Sequence, residues 1–188
     1  MKYLIVGLGN IGEEYQNTRH NIGFSILDKL SQKSDVKFQS ARYGDIAEIK
    51  HRGRKLILLK PSTYVNLSGK AILYWLKKEK LTDDRLLVVL DDLALKFGML
   101  RLRSKGGDAG HNGLKNINEI LGHQNYGRLR FGISNEFAMG NQVDYVLGNW
   151  LKEEEEKLPE RIDLANKIIL SYVSIGIERT MNLYNKRK

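Results

Sequence analysis

The sequence contains no cysteine among its 188 residues. Disulfide frameworks, thiolate zinc sites and a cysteine nucleophile are therefore excluded together. Long apolar runs are also missing: no stretch approaches the roughly 20 apolar residues of a membrane-spanning helix, and the N-terminal run is shorter than a signal peptide requires. These absences predict a soluble cytoplasmic protein that does not bind a membrane.

Proline is scarce as well, with only Pro61 and Pro159, and neither marks a domain boundary. No internal repeat or low-complexity linker divides the chain. Because 41% of the residues are apolar, a chain of this length has enough apolar side chains for one sizeable core. The sequence therefore predicts a single domain over residues 1–188.

Positive charge is in excess: 31 Lys and Arg against 22 Asp and Glu give a net charge of +9. A chain this basic attracts polyanions, so nucleic acid is the first candidate partner. Arg101, Arg103 and Lys105 alternate along one predicted strand, and Arg128 and Arg130 alternate along another. Such positioned cations suit phosphate contacts, and a solvated charged face would have the same pattern.

Short apolar runs alternate with helical patterns along the chain. The predicted strands are Tyr3–Val6, Leu56–Leu59, Leu86–Leu90, Met99–Arg103 and Arg128–Ile133. The predicted helices are Asn21–Leu30, Ser68–Lys80, Asn112–Leu121 and Pro159–Tyr184, the last interrupted near Gly176. Strands that alternate with helices predict one α/β domain around a largely parallel sheet.

The segment Gly7–Gly12 matches the pattern G-x-G-x-x-G directly after a predicted strand. A dinucleotide site needs an apolar helix that begins inside this motif, so that the helix N-terminus faces the pyrophosphate. Here Glu13 and Glu14 follow, and no apolar stripe appears before Ile22. A nucleotide-dependent oxidoreductase is therefore a disfavoured rival interpretation, and a tight turn explains the glycines.

Polar side chains follow three of the predicted buried strands: Asn10, Asn66 and the pair Asp91 and Asp92. In open α/β sheets, ligands bind beyond the carboxyl ends of the strands, so these side chains are candidates for one site. Adjacent residues on a strand point in opposite directions, so only one of the two aspartates easily faces a given side. A turn or a helix cap explains the acidic pair equally well.

His20 lies in the polar loop that leaves the first of these strand ends. A neutral imidazole accepts a proton from water near pH 7, and a carboxylate on its other nitrogen fixes the tautomer and stabilises the imidazolium. Either Asp91 or Asp92 suits that task.

Asn112 follows a second glycine-rich loop, where it is either a helix cap or a site residue. Nothing singles out the neighbouring His111. The histidines show no metal spacing, so we expect no metal.

Five segments occur in order along the chain: GLGNIGEEYQNTRHNIGF, KPSTYVNLSGKA, VVLDDLAL, GGDAGHNGLKNI and RLRFGI. Together they resemble bacterial peptidyl-tRNA hydrolases over essentially the whole chain. The resemblance implies a monomeric cytoplasmic enzyme with a twisted mixed sheet flanked by helices and no metal or organic cofactor. It implies hydrolysis of the ester between a peptide, or an N-blocked aminoacyl group, and the tRNA 3′ ribose, which recycles tRNA from aborted translation.

The resemblance also implies residue roles. His20 resembles the general base that activates water, Asp92 the acid that stabilises the charged imidazole, and Asn10 a substrate contact around the ester. The residues implied to line the cleft and bind the peptidyl and 3′-terminal parts are Tyr15, Tyr64, Asn66 and Asn112. Arg103 and Arg130 are implied to contact tRNA phosphates.

Two positions depart from the family pattern, Val65 in place of a methionine and Asp91 in place of the histidine or tyrosine before the acid. The alternative function is that of the noncatalytic RNA-binding relatives of this family. The intact His20, Asp92 and asparagines argue against it.

Because no serine lies in G-x-S-x-G, we predict single-step attack by water without an acyl-serine intermediate. The polar segment Asn135–Tyr145 is a candidate mobile lid.

Overall fold

Seven strands form one sheet through the middle of the molecule in the computed structural model, which describes residues 1–185. The strands are β1 (Lys2–Gly7), β2 (Gln39–Ala41), β3 (Gly44–His51), β4 (Arg54–Pro61), β5 (Leu86–Asp92), β6 (Leu100–Arg103) and β7 (Gly127–Gly132). Their order is β2-β3-β4-β1-β5-β7-β6. The central pairs β4-β1, β1-β5 and β5-β7 are parallel and the outer pairs antiparallel, which confirms the mixed sheet with a parallel centre.

Six α-helices accompany the sheet in the part of the chain that is described: α1 (Ile22–Lys33), α2 (Ser68–Glu79), α3 (Asn112–Leu121), α4 (Gln142–Val146), α5 (Lys152–Ile175) and α6 (Ile177–Tyr184). The last predicted helix begins earlier than expected, at Lys152, and the predicted interruption is confirmed at Gly176, where φ is 86°. None of the helices within residues 1–185 is long and apolar enough to cross a membrane.

Two hydrophobic cores lie on opposite faces of the sheet. Ile5 of β1 belongs to the core that α1 and α5 cover, whereas its neighbour Leu4 belongs to the core that α2 and α3 cover. This explains why β1, β4 and β5 are continuous apolar runs, because central parallel strands bury both faces. Polar residues are consequently left to the strand ends and the connecting loops.

Helix α1 makes a close approach to the end of β1. A Cβ atom on Gly23 would lie 2.5 Å from the backbone nitrogen of Leu8, a separation that only glycine avoids. The preceding 3-10 helix, Arg19–Asn21, is thereby held against the carboxyl end of β1. Gly12 is followed by another short 3-10 helix, Glu13–Tyr15, and not by an α-helix whose N-terminus faces a pyrophosphate.

Candidate active site

His20 and Asp91 meet at the carboxyl edge of the parallel strands. His20 lies on the 3-10 helix Arg19–Asn21, and Asp91 is near the end of β5. The His20 Nδ1 atom is 2.9 Å from each carboxylate oxygen of Asp91. The carboxylate is 3% exposed, so water does not screen this contact. The structure thus brings together the loop histidine and one of the two strand-end acids.

The assignment of Asp92 as the acid that holds His20 is wrong. Asp92 points the other way: its Oδ1 accepts the Ala94 backbone N–H at 2.8 Å, and its Oδ2 accepts a hydrogen bond from Arg130 Nε. Consecutive strand residues project to opposite sides, so only one of the pair reaches the imidazole. The contact belongs to Asp91, which had been interpreted as a departure from the family pattern.

A second imidazole, which the sequence did not single out, contacts the same carboxylate. His111 Nε2 is 3.0 Å from Asp91 Oδ1, and its Nδ1 accepts the backbone N–H groups of Gly113 at 3.1 Å and Leu114 at 3.4 Å. His111 is therefore the N-cap of α3, a position that Asn112 had been considered for. Because the accepting nitrogen carries no proton, the ring proton lies on Nε2 and is donated to Asp91. A histidine just before a predicted helix start was the available signal.

Burial and charge shift the pKa values of His20 and Asp91 in opposite directions. Burial alone lowers the pKa of the His20 imidazole, but the charge of Asp91 and its hydrogen bond outweigh burial and leave the pKa raised above 6.5. Burial raises the pKa of the Asp91 carboxyl, and the two imidazoles outweigh it, so that the pKa is lowered. Asp91 is therefore ionised, and it stabilises the protonated form of His20.

Asn10 is held in place by the residue that follows His20. The Asn10 backbone N–H donates to Asn21 Oδ1 at 2.8 Å, and Asn21 Nδ2 donates to the Asn10 carbonyl oxygen at 2.9 Å. The Asn10 side-chain oxygen accepts the Val65 N–H at 2.8 Å. This last bond fixes the amide orientation, so the NH₂ group of Asn10 is the side-chain donor left for a ligand.

A cavity of about 100 Å³ opens beside the His20 ring. Its lining consists of His20, Asp91, Asp92, Leu93, residues 108–112, Gln142, Val143 and Val146. Asn112 is thus brought to the histidine, whereas Asn10 lines a separate cavity of about 380 Å³. Tyr15, Tyr64 and Asn66 line neither of the two, and Tyr64 and Asn66 are exposed on the surface.

The wall that α4 forms is attached to the residue before His20. The Arg19 guanidinium lies 4.4 Å from the centre of the Tyr145 ring, and it forms an ion pair of 2.9 Å with Glu154. The Arg19 backbone N–H also donates to the Gly148 carbonyl oxygen at 3.0 Å. The predicted lid therefore includes a wall of the cavity, and its mobility remains a prediction.

The arginines of the predicted basic surface differ in burial: one is buried against a loop, and two are accessible to a ligand. Arg128 is buried, and its guanidinium donates to the carbonyl oxygens of Gly106, Gly107 and Gln124, so it braces the glycine-rich loop. Arg103 is exposed and Arg130 is partly exposed. Both of them line a concavity of about 350 Å³ next to that loop.

Metal binding has a candidate cluster that sequence spacing did not reveal. Ligand atoms of His20, Asp91 and His111 lie within 4.8 Å of one another in the described residues. A metal ion there would require loss of the Nε2 proton that His111 donates to Asp91. The hydrogen bonds between these groups account for their arrangement without an ion.

The fold and this site define a class of protein: an α/β enzyme whose histidine is held by a buried carboxylate, with its other ring nitrogen available to move a proton. The family model described as peptidyl-tRNA hydrolase matches residues 4–188. The chain belongs to the peptidyl-tRNA hydrolase family.

Curated relatives and solved structures agree with this assignment. Peptidyl-tRNA hydrolase from Phocaeicola vulgatus is 57% identical over 187 residues, which cover 100% of both chains. The protein of the same name from Porphyromonas gingivalis is 57% identical over 185 residues, covering 98% of this chain and 100% of its own. The crystal structure of peptidyl-tRNA hydrolase from Acinetobacter baumannii matches with a TM-score of 0.92 at 32% identity, covering 99% of this chain and 95% of that one.

Proposed function

We propose that the protein hydrolyses the ester bond between a peptide, or an N-blocked aminoacyl group, and the tRNA 3′ ribose. The products are a free peptide and a free tRNA, which returns to translation. The observation that carries this proposal is the contact between His20 and the buried Asp91 at the edge of the parallel strands. The enzyme acts as a monomer in the cytoplasm.

His20 is the general base. Asp91 accepts the Nδ1 proton, so the lone pair on Nε2 is available to a water molecule. As the water oxygen adds to the ester carbonyl, its proton passes to Nε2, and Asp91 stabilises the imidazolium that forms. When the tetrahedral intermediate collapses, the bond to the ribose oxygen breaks and the imidazolium returns the proton to that oxygen.

Side-chain amides supply hydrogen bonds that do not compete for this proton. Asn112 lines the cavity of His20, and Asn10, whose side-chain oxygen accepts the Val65 N–H, lines the other cavity together with Asn21. An amide donates at any pH, and removal of one such oxyanion donor in another hydrolase costs about 3–4 kcal/mol of transition-state stabilisation. We therefore assign Asn112 to the oxyanion and Asn10 to the acyl group beside the ester.

The substrate is too large for the cavity, so parts of it must bind on the surface. The cavity beside His20, at about 100 Å³, is far smaller than a peptidyl-tRNA. The ester and the attacking water enter the cavity, and the larger parts of the substrate stay outside. Tyr15, Tyr64 and Asn66 contact the peptidyl or 3′-terminal part there, and Arg103 and Arg130 contact phosphates of the tRNA.

The experiment is single-turnover hydrolysis of an N-blocked aminoacyl-tRNA, with binding of uncharged tRNA measured in parallel. His20→Ala should lower the hydrolysis rate by about 10²–10⁴-fold, while tRNA affinity stays close to that of the wild type. His123→Ala is the matched control, because His123 forms a similar imidazole–carboxylate pair with Asp83 on the surface, at 2.8 Å.

A near-normal rate for His20→Ala would refute the assignment of the base. Binding of tRNA without release of the acyl group by the wild-type protein would support the noncatalytic RNA-binding alternative instead. The free-amine aminoacyl-tRNA, assayed beside the blocked one, tests whether the substrate must be N-blocked.

A further inference from the structure

Asp92 lies between two concave sites. It lines the cavity of His20 on one side and the basic concavity of Arg103 and Arg130 on the other. Its side chain is 6% exposed, and that of Arg130 is 22% exposed. The end of β5 thus directs one carboxylate, Asp91, toward the imidazoles and the next, Asp92, toward a cation.

Both oxygens of Asp92 are used in the structure. Oδ1 accepts the Ala94 N–H at 2.8 Å, which fixes the carboxylate to the backbone, and Oδ2 accepts the Nε proton of Arg130. A guanidinium has five N–H donors in one plane. With Nε engaged by Asp92, the two terminal amino groups of Arg130 are the donors that remain for the concavity. A pair of parallel N–H donors is the arrangement that binds a phosphate with two hydrogen bonds.

We propose that Asp92 is a positioning residue for substrate binding, which holds Arg130 so that its terminal amino groups meet a phosphate of the RNA backbone. This inference rests on the proposed function, because it requires Arg130 to contact tRNA. Asp92 then touches neither the substrate nor the reacting atoms. It acts through Arg130 alone.

Simple electrostatics and the positioning role predict opposite changes in tRNA affinity when Asp92 is removed. If the carboxylate were only a negative charge near the binding surface, its loss would strengthen the attraction of a polyanion. If the carboxylate aims Arg130, its loss leaves a guanidinium that rotates freely and must be ordered when RNA binds. Affinity for tRNA then falls, although the protein has become more positive.

The experiment measures binding of uncharged tRNA at several salt concentrations to Asp92→Ala, Arg130→Ala and the double variant. Arg130→Ala should weaken binding by about tenfold and lower the salt slope by about one, as expected for loss of one phosphate contact. Asp92→Ala should weaken binding in the same direction, and the double variant should bind no more weakly than Arg130→Ala, because both changes remove one interaction.

Two further variants keep the test decisive. Asp92→Asn preserves the side-chain volume but replaces one of the two carboxylate oxygens with an NH₂ donor, which cannot accept from Ala94 or Arg130, and it should also weaken binding. Asp163→Ala is the control for charge, since Asp163 pairs with Lys33 on the surface at 2.8 Å, and it should not weaken binding. In turnover assays, Asp92→Ala should raise KM by a larger factor than it lowers kcat.

Tighter tRNA binding by Asp92→Ala, or losses that add in the double variant, would overturn the positioning role. Unchanged binding by Arg130→Ala would overturn it as well, by removing the phosphate contact on which it depends. Neither result bears on the base: hydrolysis by His20→Ala tests that part of the proposed function separately.

Discussion

The carboxylate of Asp91 lies between two imidazoles that differ at their second nitrogen. Nε2 of His20 is the nitrogen left for a ligand in the cavity, whereas Nδ1 of His111 accepts two backbone N–H groups of α3. His20 is therefore able to take a proton without losing another hydrogen bond. Protonation of His111 at Nδ1 would remove a helix cap. This asymmetry supports the proposal that His20 is the base, and it indicates a structural task for His111.

His111→Ala tests that structural task. The change removes the N-cap of α3 and also the hydrogen bond to Asp91, so it should lower the free energy of unfolding by about 1 kcal/mol or more. Thermal or urea unfolding measures this loss. His123→Asn is a suitable comparison, because His123 lies outside the cap and is partly exposed. An unfolding free energy that does not change in His111→Ala would contradict the cap.

At the residue scale, the sequence predicted part of this cluster. It identified His20 and the acidic pair, and the alternation of strand residues showed that only one acid would face a given side. That rule does not say which one, because the choice depends on which face of β5 the 3-10 helix Arg19–Asn21 covers. His111 was missed for a related reason: the contact joins residues 20 positions apart, and no local pattern records it.

At the scale of elements, the contact between α1 and the end of β1 positions His20, the proposed base. Gly23 has no room for a side chain: a Cβ atom would lie 2.5 Å from the Leu8 backbone oxygen as well as from its nitrogen. Any larger residue must push α1 away from the sheet. His20, three residues earlier, would then move relative to Asp91, which is fixed in β5.

Gly23→Ala should therefore lower both stability and activity. Overpacking of this kind typically costs about 1–3 kcal/mol of the free energy of unfolding, and kcat should fall because the imidazole is displaced. Gly107→Ala is the stability control, since a Cβ atom there meets nothing within 4 Å. Urea unfolding and turnover measured on the same samples provide the check. Wild-type values for Gly23→Ala would show that the approach is not tight.

The sequence predicted the central elements better than the outer ones. β1, β4 and β5 are buried on both faces, so their apolar runs are unmistakable. β3 was missed because it has no continuous apolar run and its burial does not alternate strictly: Asp45 and Ile46 are both partly buried, and four of its eight residues are ionisable, Asp45, Glu48, Lys50 and His51. Helix α4 has only five residues and no buried one, so it leaves no hydrophobic period to detect.

At the scale of the whole molecule, the proposed chemistry and the proposed RNA contact lie on opposite sides of one strand end. Asp91 is buried between the imidazoles of His20 and His111, and the neighbouring Asp92 contacts the partly exposed Arg130. We expect the net charge of +9 to attract tRNA. Within residues 1–185, burial and Asp91 shift the pKa of His20, and no cation is among the causes. A cation beside His20 would lower the pKa of the imidazole and oppose the effect of Asp91.

The pH dependence of kcat for the wild type, Asp91→Asn and Asp92→Asn tests the central claim most directly. The base must be neutral, so kcat should fall as the pH drops below a His20 pKa that Asp91 has raised above 6.5. Without the Asp91 charge, burial lowers that pKa. Asp91→Asn should therefore move the fall in kcat to lower pH and reduce its maximum by about 10²–10⁴-fold. In Asp92→Asn, kcat should fall at the same pH as in the wild type. The reverse assignment, with the shift in Asp92→Asn and none in Asp91→Asn, would contradict the account.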